Sequence, residues 1–284
     1  TQAAMRKLRE MQFADGAWPW MPGGRPSDYI TLYITTGFGR MRAMDVDVDA
    51  GMAIKAVNRL DDWMNRTYLR IKQHGNLEAN NLSSLIAQYL YCRSFFLKDR
   101  AIAPQHREAV EYFINQAVKK EKDGTQYFLR LSRMNQAQVA IAMNRIGKFQ
   151  KKAEYDRLSR LIIASIKERS VTDEELGLFW RDLEYSHWWY RAPIETQAMM
   201  IEAFHEVTQD FDAMEDAKVW LLKQKQTQDW KTTKATADAC YALLLQGANL
   251  LASEALVEVT VGDQKIEPKK VEAGTGFYEH RFLG

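Results

Sequence analysis

Long apolar runs are absent from this sequence: no stretch approaches the roughly 18 consecutive apolar residues of a membrane-spanning helix. Charge of one sign is absent too. The 39 basic residues are offset by 37 acidic ones, a net charge of +2, with neither a basic stripe nor an acidic tail. That balance removes the electrostatic case for a nucleic-acid or membrane-surface partner. Histidine is scarce, and the five present show no metal-ligand spacing of the His-Glu-X-X-His kind. A glycine-rich phosphate loop is missing, because Gly37-Phe38-Gly39 lacks a third glycine and follows a helix rather than a strand. No cofactor is expected.

Cysteine is limited to Cys92 and Cys240, each inside an apolar helical pattern, Tyr-Leu-Tyr-Cys-Arg and Asp-Ala-Cys-Tyr-Ala. Both read as buried free thiols, since free cysteine behaves as a small hydrophobe. A disulfide between them stays open, and two cysteines say little about redox compartment. No leader peptide is present. Thr1 is not an initiator residue, so the chain reads as a piece of a longer protein, and the missing leader carries no information about export.

What remains is ordinary globular material: of 284 residues, 46% are hydrophobic and 27% charged. That suffices for one large domain with a sizeable core, or two small ones. Apolar residues recur at helical spacing through residues 1–250. Val57, Leu60, Met64 and Ile71 form one stripe; Ile194, Ala198, Ile201 and Phe204 form another. An amphipathic helix precedes a more apolar one five times: 1–12 with 29–42, 52–71 with 81–96, 105–119 with 135–147, 153–168 with 194–207, and 212–224 with 233–246. Helices that are apolar nearly all round must be buried by others. Concentric rings meet that need, with the apolar helices inside and the amphipathic ones outside. The expected fold is therefore all-α, an alpha/alpha toroid of helical hairpins. Five pairs are one short of the six that close such a toroid, which leaves room for a sixth upstream of Thr1.

The connections add detail. Pro104 and Pro193 suit first turns of helices, and Gly147 and Gly247 read as helix C-caps. Asp15-Gly16-Ala17-Trp18, Asp123-Gly124 and Gln228-Asp229-Trp230 join outer to inner helices, with Asp and Gly making the turn and tryptophan plugging the layer between rings. From about residue 254 the period changes. Residues 256–261 alternate, Gly262-Asp263 makes a turn, and Phe277-Tyr278-Glu279-His280-Arg281-Phe282 reads as a last strand. The chain thus divides into a helical domain, 1–252, and a short C-terminal β segment, 253–284. Some 30 residues do not form an independent sheet, so the segment either packs on the helical domain or belongs with an adjoining β domain.

Several groupings invite a functional reading. Asp45-Val46-Asp47-Val48-Asp49 lacks the glycine and glutamate of a helix-loop-helix calcium loop and reads as a charged helix N-terminus. Asp61-Asp62-Trp63-Met64-Asn65 is faintly similar to a Mg2+-binding motif of terpene synthases, but reads as solvated outer-helix carboxylates. Trp180, His187, Trp188 and Trp189 form an aromatic cluster that either lines an interaction surface or packs as core between hairpins. Asp182, Glu184 and His187 lack an accompanying nucleophile.

Three stretches resemble one family. Asp15-Gly16-Ala17-Trp18-Pro19-Trp20-Met21-Pro22-Gly23-Gly24, with Tyr29-Ile30-Thr31-Leu32-Tyr33-Ile34, is similar to early helices of the thioester domain of bacterial alpha-2-macroglobulins. Trp188-Trp189-Tyr190 with Pro193-Ile194-Glu195-Thr196-Gln197-Ala198 is similar to a later hairpin. Trp230-Lys231-Thr232-Thr233-Lys234-Ala235-Thr236-Ala237-Asp238-Ala239 is the sharpest match. The tail looks like the resumption of a macroglobulin/CUB-like β domain. The resemblance implies an alpha/alpha toroid, an extracytoplasmic place in the periplasm or cell envelope, and protease trapping after cleavage of a bait region elsewhere in the parent chain. The implied partners are target proteases and the parent's other domains.

Members with the full motif carry Cys-X-Glu-Gln, whose Cys and Gln side chains form a thioester. Here Cys92 is followed by Arg93-Ser94-Phe95 and Cys240 by Tyr241-Ala242-Leu243, so the motif is absent from this chain. In the family's order it would fall upstream of Thr1, and loss of the motif in this member is equally open. Some members use a downstream histidine to tune the thioester, and His74 lies roughly where that residue would fall.

The function expected is a non-catalytic domain of a protease-trapping endopeptidase inhibitor. The alternative is a toroidal enzyme of terpene cyclase, prenyltransferase or polysaccharide-acting type with an acidic central cavity. The inner helices offer chiefly Thr, Ser, Asn, Gln and Glu195; Glu195 paired with a second acid in an open cavity would favour the enzyme.

Overall fold

The computed structural model describes residues 2–181, 192–227, 230, 232–245, 259–261 and 264–266. The chain divides into two compact units, 1–245 and 246–284. In the second, β5 (Val259–Val261) pairs antiparallel with β6 (Gln264–Ile266), with Val261 opposite Gln264. The expected strand at Phe277–Phe282 lies outside the described residues.

The first unit is all-α with short strand segments. Its helices are α1 (Gln2–Met11), α2 (Asp28–Ala43), α3 (Gly51–His74), α4 (Ser84–Ser94), α5 (Pro104–Gln116), α6 (Arg133–Gln150), α7 (Ala153–Lys167), α8 (Pro193–Ala203), α9 (Phe211–Thr227) and α10 (Thr233–Leu244). They fall into the five outer–inner pairs that the periodicity indicates. Inner neighbours pack in sequence, α2 on α4, α4 on α6, α6 on α8 and α8 on α10, while α3, α5, α7 and α9 lie against α2 and α4, α4, α6 and α8 respectively. Helix α1 adds Met5, Leu8 and Met11 to a cluster around Trp18 and Phe38.

The two layers differ as their burial demands. Outer α7 buries one stripe, Tyr155, Ser159, Ile162, Ile163 and Ile166, whereas inner α6 is buried almost all round. A buried helix start needs its N–H groups satisfied within the protein. Inner helices α2, α4, α6 and α10 accordingly begin at Ser27, Ser83, Ser132 and Thr232, each accepting a bond from the amide three residues on. Pro193 opens α8 and Pro104 opens α5, as expected.

Three tryptophans stitch the layers. Trp18, Trp180 and Trp230 are buried, and each indole N–H donates to a carbonyl of an outer helix: Leu8 O at 2.8 Å, Ile166 O at 3.0 Å and Leu221 O at 3.2 Å. The Asp15–Gly16 turn delivers Trp18. Asp15 Oδ1 accepts from Ala17 N at 3.1 Å, and Gly16 sits at φ +93 against the backbone of Lys55, where a Cβ would collide.

The sequence reading needs several corrections. Two small ladders lie inside the helical unit: β1 (Trp18–Pro19) with β2 (Pro26–Ser27), and β3 (Val171–Asp173) with β4 (Gly177–Phe179). Gly147 is not a C-cap. It lies within α6, and a Cβ there would approach Tyr155 Cβ to 2.9 Å, so it permits the close crossing of α6 and α7. The cap residue is Lys151, in the left-handed region; Gly247 lies outside the described residues. Asp61 is not solvated: it is buried, 2.9 Å from Arg93 Nε, and accepts the Tyr89 hydroxyl proton at 2.7 Å. Arg93 also donates from Nη1 to Phe96 O and from Nη2 to Arg100 O, so each of its three nitrogens has an acceptor in this buried pair.

The cysteines also separate. Cys92 is buried on α4 and Cys240 is exposed on α10; both are free. The last inner helix has a close neighbour, α8, on one side, but meets α2 through long side chains, which leaves Thr236, Ala237, Cys240 and Leu244 uncovered. Burial pushes the Cys92 thiol up to about 12, so it stays protonated, and thiols react as thiolates. At pH 8 the native protein should therefore release one equivalent of thionitrobenzoate from a disulfide reagent, from Cys240, and a second after denaturation. Two equivalents from folded protein, lost in the Cys92→Ser variant, would contradict this burial.

Candidate functional site

Every inner helix contributes a charged or hydroxyl side chain to one buried network. Arg145, from α6, forks onto Glu206 with bonds of 2.7 and 2.6 Å, and reaches Glu202 Oε1 at 2.8 Å and Ser94 Oγ at 3.2 Å. Glu202, near the end of α8, also accepts the hydroxyls of Tyr91 at 2.6 Å and Tyr241 at 3.2 Å. Arg40, from α2, donates to Tyr91 Oη at 3.1 Å and pairs with Asp238 on α10. Lys234 stands 2.8 Å from Asp238 and 3.5 Å from Glu195. The guanidinium of Arg145 lies 3.9 Å from the Phe95 ring centre, and that of Arg40 lies 4.7 Å from Tyr241's.

The electrostatics follow from this crowding. Burial works against the charge on Arg40, but Tyr91, Asp238 and Glu202 outweigh it and hold the guanidinium pKa well up. The same contest raises Arg145, with Glu206 and Glu202 outweighing burial. Lys234 is likewise held up by Asp238 and Glu195 against its burial. Burial drives the Tyr91 and Tyr241 phenols well above the usual tyrosine range, so both are neutral donors.

Above this network, between the N-terminal halves of the inner helices, lies a cavity of about 390 Å3. Tyr29, Tyr33, Gln88, Gln138, Glu195 and Lys234 are among its walls. At Tyr29 an exposed Trp20, 63% accessible, stacks with ring centres 5.8 Å apart. A second acid, Asp238, does line the cavity with Glu195, but Lys234 stands between them, so the two carboxylates are counter-ions of one ammonium.

The expected site residues are dispersed. His74 ends outer helix α3 and is exposed. Trp180 is not part of a surface. Its ring is buried, parallel to Phe204 at 6.4 Å, and its N–H is taken by Ile166 O, because the β3–β4 ladder carries it between α7 and α8. His187, Trp188 and Trp189 lie outside the described residues. The Asp45–Asp49 run lies just ahead of α3, whose N-cap is Ala50, and Asp49 Oδ1 accepts from Gly51 N at 2.9 Å. Among the described residues, no group of His, Cys, Asp or Glu is placed to hold a metal ion, and no helix is long and apolar enough to cross a membrane.

Arg40, Arg145, Glu202 and Asp238 escape the sequence reading, which allows the inner helices few charges. Their signal is imbalance: α6 carries bases and no acid, α8 two acids and no base. Helices of opposite excess that bury all faces must neutralise one another.

No family model matches the sequence, and no curated protein does. Among solved structures, Escherichia coli alpha-2-macroglobulin activated by porcine elastase is similar over 86% of this chain and 19% of that one, with a TM-score of 0.50 and 16% identity. The likeness is one of fold, and the chain spans about a fifth of that protein's length.

Proposed function

We propose that this chain is the thioester-type helical domain of an alpha-2-macroglobulin-like protease trap, located outside the cytoplasm and followed by a β domain of the same parent. The observation that carries this reading is the fold shared with E. coli alpha-2-macroglobulin over 86% of the chain. The resemblance of residues 15–34, 188–198 and 230–239 to the same family supports it. On this reading the domain acts by binding its parent's other domains and the captured protease, not by turnover, and the ionic network keeps five helical pairs in register as one rigid body.

The full protein mixed with porcine elastase tests the proposal. A trap that cages its target should co-elute with elastase on size exclusion and suppress its digestion of casein more than of a short chromogenic peptide. Cleavage without co-elution, with casein digestion unimpaired, would overturn it. Mass spectrometry with methylamine separates the two modes of trapping: an adduct with release of one thiol marks a thioester elsewhere in the parent, and no adduct marks steric trapping alone.

A further inference from the structure

At the end of the inner ring opposite the tyrosine-lined cavity, the C-terminal ends of α2, α4 and α6 frame a second recess, of about 660 Å3. Phe95, Leu97 and Phe149 supply its apolar surface, and Phe149 is 47% exposed. Arg42, Lys98 and Lys148 stand around them, against one acid in the lining, Asp99. Asp99 is engaged by Arg42 at 2.9 Å. Lys98 and Lys148 have no ion-pair partner among the described residues, and Arg145, in the wall, is already neutralised by Glu202 and Glu206. The recess is therefore a partly apolar cup with unbalanced positive charge.

Cations at helix C-termini have an ordinary explanation, since they complement the negative end of the helix dipole. That accounts for Arg42 and Lys148. It accounts neither for Lys98, which lies beyond the end of α4, nor for a phenylalanine left half in water beside them. We propose that this recess is a docking site for an acidic polypeptide segment that inserts a bulky apolar side chain against Phe95 and Phe149 and sets its carboxylates on Lys98 and Lys148. The recess is open to solvent, and its volume lies in the range of ligand pockets. Its two free cations are too few for a nucleic-acid backbone, which takes roughly 6–10 phosphate contacts, or for an anionic membrane surface, which takes about 4–8 basic residues. The site stands on this chain's own residues and does not depend on the protease-trap reading.

The test is fluorescence anisotropy with the full protein and a fluorescein-labelled peptide, Asp-Glu-Phe-Leu-Glu-Asp, at low salt. Saturable binding is expected, weakened about tenfold by Lys98→Glu with Lys148→Glu through lost charge complementarity, and by a similar factor, roughly tenfold, by Phe149→Ser through the lost anchor. All three positions are exposed, so unchanged melting temperatures should confirm that these variants fold. Absence of binding, equal affinity in the variants, or equal affinity for a peptide with lysine replacing each acid would overturn the proposal. So would tighter binding of a single-stranded oligonucleotide or of phosphatidylserine vesicles with the same dependence on Lys98 and Lys148, which would mark a general electropositive patch.

Discussion

Replacing Glu202 with alanine should cost about 3–5 kcal/mol of stability, the range seen when one member of a buried ion pair is removed. Glu202 is 1% exposed and serves four partners: Arg145 at 2.8 Å, Arg40 at 3.9 Å, and the hydroxyls of Tyr91 and Tyr241. Without it, Arg40 keeps Asp238 and Arg145 keeps Glu206 as their one acidic partner each, and two buried hydroxyls lose their acceptor. Desolvation decides the sign, because Arg40 and Arg145 are only 12% and 13% exposed and each loses a carboxylate partner. For a helical unit of this length the loss corresponds to a fall in melting temperature on the order of 10 °C. Thermal and urea unfolding followed by circular dichroism measure it. A loss below 1 kcal/mol would mean that the network is solvated and the buried geometry wrong. A double-mutant cycle with Arg145→Met should give a coupling above about 1 kcal/mol, since the two residues share an environment as well as a contact.

Trp18→Ala should be as damaging, at about 3–5 kcal/mol, the usual cost of truncating a buried aromatic. Its ring is inaccessible, its indole N–H holds Leu8 O at 2.8 Å, and its backbone N–H is taken by Thr31 Oγ1 at 3.0 Å. Truncation empties the wedge between α1 and α2 and orphans a carbonyl. Trp20, two residues on, offers an internal control: it is largely exposed and stacks on Tyr29, so Trp20→Ala should cost about 1 kcal/mol or less. Urea midpoints of the two variants, read against the parent, test the contrast. Similar losses in both would show that the hairpin, not the plug, sets the stability.

Much of this fold is legible in the sequence because it follows from periodicity. The 3.6-residue repeat and the contrast between one-sided and all-round apolar helices identify all five pairs, and Asp15-Gly16 and the prolines at 104 and 193 mark real boundaries. What periodicity misses is whatever depends on a partner distant in sequence. Asp61 reads as a surface acid until Arg93 is found opposite it. Gly147 reads as a helix end until Tyr155 is seen crossing it. Cys240 reads as core because its neighbours are apolar, yet among the described residues no inner helix covers the face it shares with Leu244. The candidate site fares worse for the same reason: Arg40, Glu202 and Asp238 belong to three different helices, and no spacing along the chain announces their meeting. The inner tryptophans are a middle case, since Trp18 and Trp230 read as plugs from their turns, while the aromatic cluster of Trp180 reads equally as an interaction surface or as core between hairpins.

The clasp between Arg40 and Asp238 joins residues 198 positions apart, whereas each outer–inner pair is made of near neighbours in the chain. Local contacts form quickly, and the entropy of closing a loop rises with its length. Hairpins can therefore assemble one after another as synthesis proceeds, and this clasp forms only when α10 arrives. Until then Arg40 waits for its carboxylate near the far end of the helical chain, so the formed clasp reports that the pairs between α2 and α10 are in place.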